Sequence, residues 1–97
     1  MRTYLYDGSF KGFLCAVYLC LKNKDDALIT TVADKVTDLF REEITVKTKA
    51  ADAKNCQDFI ETRISPQSLR KIFYVFLADI PDREEKIMNF LRRGLEI

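Results

Sequence analysis

The sequence predicts an α+β fold, with an α/β arrangement as its alternative, in which a small two-stranded β element carries a cluster of about four helices. Two short runs, Thr3-Tyr4-Leu5-Tyr6 and Glu43-Ile44-Thr45-Val46-Lys47-Thr48, have the aromatic or alternating β-branched character of strands. Longer stretches repeat apolar residues at helical spacing, and turn or capping residues separate them. The 97 residues amount to one domain, read as residues 1–97. A chain of this size removes roughly 60–70% of its unfolded surface from water, enough to fold without a staple. Hydrophobic residues at 47% and charged residues at 32% exclude the disordered, collagen-like and mucin-like classes.

The opening strand is cut off by Asp7-Gly8-Ser9, a turn signal. Ser9 is a natural N-cap for the helix that follows. Its Phe10, Phe13, Leu14, Val17, Tyr18 and Leu21 fall at i, i+3, i+4, i+7, i+8 and i+11. Cys15, Ala16, Leu19 and Cys20 make the rest of this helix apolar too, so it should be covered on more than one side. Asn23 to Asp26 end it. Leu28 to Val32 has β-branched character, but Val32, Val36, Leu39 and Phe40 also fit helical spacing. The stretch from 27 to 41 therefore reads as irregular, with a short helix near Ala33 to Phe40. Glu43 to Thr48 alternates as a half-buried strand, compatible with a parallel βαβ unit or an antiparallel pair.

From Lys49 onward the pattern is helical. Ala53, Cys56, Ile60 and Ile64 form one stripe with Phe59 beside it, and Ser65-Pro66 stops this helix and opens the next as N-cap and N1. That next helix should face Leu69, Ile72, Phe73, Phe76 and Leu77 inward. Asp79 to Asp82 breaks it, and Asp82 with Glu85 reads as a capping box for a last helix burying Ile87, Met88, Leu91 and Leu95. Leu95 and Ile97 follow Gly94 with no polar tail, which points to one part of a longer protein.

Charge excludes one broad class. Sixteen basic against fifteen acidic residues give +1, spread evenly along the chain, whereas a dedicated nucleic-acid-binding domain carries a stronger basic footprint. Cys15, Cys20 and Cys56 form no CxxC pair, and there is no histidine to complete a zinc site, so they read as three reduced thiols and point to a cytoplasmic setting. Cys15 and Cys20 sit five apart on one helix and point away from each other. No cofactor is implied. The uncharged run Gly12 to Leu21 is about half a membrane span and reads as a core helix, so no membrane is expected.

Three groups of residues carry candidate chemistry. Gly8, Ser9 and Phe10 form a turn into a helix N-terminus, where backbone N–H groups favour an anion, although Asp7 would repel one; capping is the plainer reading. Asp25-Asp26, Glu42-Glu43 and Glu84-Glu85 are adjacent carboxylates that read as solvated element ends rather than converging acid-base pairs. Cys15 has no histidine partner and lies in an apolar helix, so it reads as inert. Arg70, Lys71, Arg92 and Arg93, with Arg63 and Lys86 near, form a basic cluster next to Tyr74 that suits a phosphate backbone, an unstacked base or a partner protein. Asp79, Glu84 and Glu85 dilute that field, so a solvated mixed-charge face is the plainer alternative.

The opening Tyr4-Leu5-Tyr6-Asp7-Gly8-Ser9-Phe10-Lys11-Gly12-Phe13-Leu14, followed by Ala16-Val17-Tyr18, resembles the start of a bacterial family described as DNA metabolism or DNA repair proteins of uncharacterised activity. Ile44 to Thr48, Leu69 to Leu77 and Phe90 to Gly94 are similar to that family as well. Its members run well beyond this length, so the resemblance covers only their N-terminal part. It implies a role in DNA metabolism through company: members accompany a radical-SAM protein, and some are fused to a uracil-DNA-glycosylase-like domain. No catalytic residue comes with it. The expectation is a non-catalytic N-terminal module that docks to DNA or to a partner such as the radical-SAM protein. The alternatives are an enzyme fragment whose active site a C-terminal part completes, or a plain protein-interaction domain.

Overall fold

Thr3, Tyr4, Leu5 and Tyr6 are buried without alternation, the signature of a strand covered on both faces, and β1 (Arg2–Tyr6) is the central strand of a sheet. The computed structural model describes residues 2–23, 27–33 and 42–95. The elements in order are β1, α1 (Phe10–Lys22), β2 (Leu28–Thr31), β3 (Glu42–Thr45), α2 (Ala50–Arg63), α3 (Pro66–Leu77) and α4 (Arg83–Leu95). The class is mixed α+β. Two compact units divide it, Met1–Cys56 and Gln57–Ile97.

In the first unit the strand order is β2-β1-β3 and both pairings are parallel, with Tyr4 opposite Ile29 on one side and Ile44 on the other. The sheet thus has three strands where the sequence predicts two. Leu28–Thr31 forms the added strand, and β1–α1–β2 is a parallel βαβ unit. The β-branched character of Leu28 to Thr31 prevailed over the helical spacing that begins at Val32, because an open edge of β1 was there to pair with it. Ala33 is in a turn, and the rest of the short helix predicted near Ala33 to Phe40 lies outside the described residues. The later strand is shorter than predicted, although the Val46 N–H still donates to the Leu5 carbonyl at 2.7 Å.

Helix α1 is built as its sequence predicts. The Ser9 hydroxyl accepts from the Gly12 N–H at 3.0 Å, and Gly12 to Val17 are buried in unbroken succession, so every face of that stretch is covered. Cys15, Cys20 and Cys56 are buried free thiols. Asn23 closes the helix, its N–H donating to the Leu19 carbonyl at 3.0 Å.

In the second unit Ser65 caps α3, accepting from the Ser68 N–H at 3.1 Å with Pro66 in the first turn. Ile72 and Phe76 of α3 and Ile87, Met88 and Leu91 of α4 are buried, while Leu95 is half-buried. Two expectations need correction. Phe73 and Leu77 lie outward, 38% and 60% exposed, because the apolar residues of α3 span more of its circumference than α4 covers. The Asp82–Glu85 capping box is not formed in the expected way. Asp82 has φ 58°, in the left-handed region, whereas a capping side chain works from extended backbone. Arg83 secures this turn instead: its Nη1 donates to the Phe76 carbonyl at 2.8 Å and to Asp79 Oδ1 at 3.2 Å, and its guanidinium lies 4.0 Å from the Phe76 ring centroid.

Candidate functional site

Parallel strands gather the loops that follow them at one edge of the sheet. In open α/β sheets ligands favour the crevice where the strand order reverses. Here that switch of order falls between β1 and β3, and beyond their carboxyl ends Asp7 and Thr48 join. Thr48 Oγ1 donates to Asp7 Oδ2 at 2.8 Å, while the Ser9 hydroxyl and N–H donate to Asp7 Oδ1 at 2.6 and 2.9 Å. Gly8, at φ 90°, takes a backbone conformation that side-chain-bearing residues rarely adopt. Gly12 leaves the room Asp7 uses: a Cβ there would run into Asp7 Oδ1 and stand 3.0 Å from Thr48 Oγ1.

The predicted anion turn at Gly8, Ser9 and Phe10 therefore holds the chain's own carboxylate. Both donors of Ser9 that an anion would use are engaged by Asp7. Those bonds, the Ser9 hydroxyl first, then the Ser9 N–H and the Thr48 hydroxyl, hold the Asp7 carboxyl below the ordinary aspartate value.

All three cysteines are buried. Burial pushes the Cys56 thiol up to about 12, with Cys15 nearby adding to the shift. Cys15 Sγ is engaged with the backbone of Lys49, donating to its carbonyl at 3.2 Å and accepting from its N–H at 3.3 Å. Among the described residues no group of three or more His, Cys, Asp or Glu side chains is placed to hold a metal ion. Of the adjacent carboxylates, Glu42 pairs with Arg2 at 3.5 Å and Glu84 with Arg83 at 3.4 Å, while Asp25-Asp26 lies outside the described residues. No helix among the described residues is long and apolar enough to cross a membrane.

The predicted basic cluster is divided by helix geometry. Arg70, Phe73, Tyr74 and Leu77 fall at i, i+3, i+4 and i+7, one exposed stripe of α3, with Tyr74 63% exposed. Lys71 is on the neighbouring flank. It lines an apolar groove of about 220 Å³ between α3 and α4, with Lys86 and Phe90 on the α4 side. Arg93, seven residues beyond Lys86, continues that flank of α4. Arg92 lies roughly 100° round the helix from Arg93 and is half-buried, with its Nη2 fully buried. Arg70, Lys71, Tyr74 and Arg93 are thus exposed on the two helices, and Arg92 is turned to the other side. The groove itself was not legible as a site. The signal for it was the surplus of apolar positions on α3, more than one helix–helix contact can bury.

No protein-family model, curated protein or solved structure matches this chain.

Proposed function

We propose that the chain is a non-catalytic docking module of a cytoplasmic protein of DNA metabolism, and that its contact surface is the outer face of α3. The observation that carries this reading is the stripe Phe73, Tyr74 and Leu77, with Arg70 in line. Scattered exposed apolar residues are ordinary, but contiguous large ones rimmed by charge mark interaction sites. Tyr and Arg are the side chains most enriched where binding energy concentrates. The DNA-metabolism setting rests on the resemblance of the opening and of Leu69 to Leu77. Three free thiols fit a reducing compartment. Ser9, Thr48 and Asp7 are engaged with one another, and Cys56 is held protonated, which supports docking over chemistry.

The test is sedimentation velocity of the chain mixed with a radical-SAM protein of the kind that accompanies the family its opening resembles. A complex is expected, and Tyr74→Asp should abolish it while leaving the circular dichroism spectrum unchanged. A complex indifferent to Tyr74→Asp would remove α3 from the reading. With net charge +1 the chain should bind DNA only near ~10⁻⁴ M, with a salt slope of about −2 to −4. Binding at or below roughly 1 μM near physiological salt would make it a DNA-binding domain instead.

A further inference from the structure

We infer that the groove between α3 and α4 receives the apolar side of an acidic amphipathic helix from a partner protein, an assignment that deepens the docking reading and rests on it. The floor of the groove is Ile72 and Ile87, both buried, and its walls are Ile80 and Phe90, each 37% exposed. At about 220 Å³ it falls below the ~300–1,000 Å³ of sites that enclose a small organic ligand. Its size suits one or two anchoring side chains.

The charge at its rim selects among partners. Both charged residues that line the groove, Lys71 on α3 and Lys86 on α4, are cations, and Arg93 extends the α4 rim one stripe position past Phe90. A helix with Leu-like residues at i, i+3, i+4 and i+7 presents one apolar edge to such a groove, and carboxylates on its two flanks meet the two lysines. A nucleic acid would satisfy the cations but could stack only on Phe90, leaving Ile72, Val75, Ile80 and Ile87 without an apolar partner. An anionic membrane surface is engaged by clusters of about four to eight Lys or Arg, more than this rim holds.

Fluorescence anisotropy of the full chain with two labelled helical peptides, each about four turns long, tests the assignment. The peptides share one leucine edge and differ in flanks of Glu or Lys. The Glu peptide should bind about tenfold more tightly, the combined effect of a few exposed ion pairs, and the preference should fade near ~0.5 M salt. Lys71→Glu with Lys86→Glu should reverse the preference, and Phe90→Ala should weaken both peptides. Equal binding of the two peptides, or a preference untouched by the double reversal, would overturn the assignment. So would tighter binding to phosphatidylserine vesicles, or a self-associated chain that Phe90→Asp returns to monomer. The radical-SAM complex, read through Tyr74→Asp, is scored separately, so loss of the groove and loss of the docking reading are distinct results.

Discussion

Asp7 and Thr48, 41 residues apart, are joined by a 2.8 Å hydrogen bond that ties the loop after β1 to the loop after β3. Both loops leave the same edge of the sheet because β1 and β3 run parallel. The Asp7 carboxyl is held below its ordinary value of about 3.9, so it contributes stability that is full above that value and is lost as pH falls through the lower, folded one. Urea midpoints measured between about pH 5 and about pH 2 should fall more steeply for the natural chain than for Asp7→Asn. Thr48→Val should move the carboxyl titration of Asp7 upward by NMR. An unmoved titration would mean that the two loops are not joined.

Gly12→Ala is expected to destabilise the chain by roughly 1–2 kcal/mol, although alanine in a helix interior normally stabilises by about 1 kcal/mol relative to glycine. The added Cβ would displace the Asp7 carboxylate from Ser9 and Thr48. The double change Asp7→Ala, Gly12→Ala should recover the helical gain relative to Asp7→Ala alone. Thermal melts of the four variants read the difference.

Phe76 and Phe73 separate burial from helical spacing. Phe76 is 5% exposed and lies beneath the Arg83 guanidinium, and Phe76→Ala should cost about 3–5 kcal/mol. Phe73 is 38% exposed, and Phe73→Ala should cost no more than about 1 kcal/mol, with Arg70→Ala within about 0.5. Denaturant melts decide it. Equal losses at the two phenylalanines would put α3 in the wrong rotation.

The three thiols should all be free and slow to react. With Cys56 raised to about 12 and Cys15, Cys20 and Cys56 buried, the folded chain should resist alkylation near pH 8. All three should label once the chain is unfolded without reductant, as read by mass spectrometry. A count below three would reveal a disulfide.

The helix starts at Ser9 and at Ser65-Pro66, the tight turn at Gly8, and the strand character of β1 were legible in the sequence because each is decided within a few residues. A hydroxyl reaches an N–H three positions on, and a glycine takes a positive φ wherever it lies. The sequence determined the order of α1, α2, α3 and α4 for the same reason. What only the tertiary structure decided involves partners distant in the chain. Leu28–Thr31 became a strand because β1 offered it an edge, and both pairings proved parallel. Spacing left Phe73 and Phe76 equivalent; the position of α4 buried one and exposed the other. The same packing set Lys71 of α3 and Lys86 of α4 on one groove. Periodicity states how apolar residues are arranged around a helix, but which part of that arc is shielded from water depends on what packs against it.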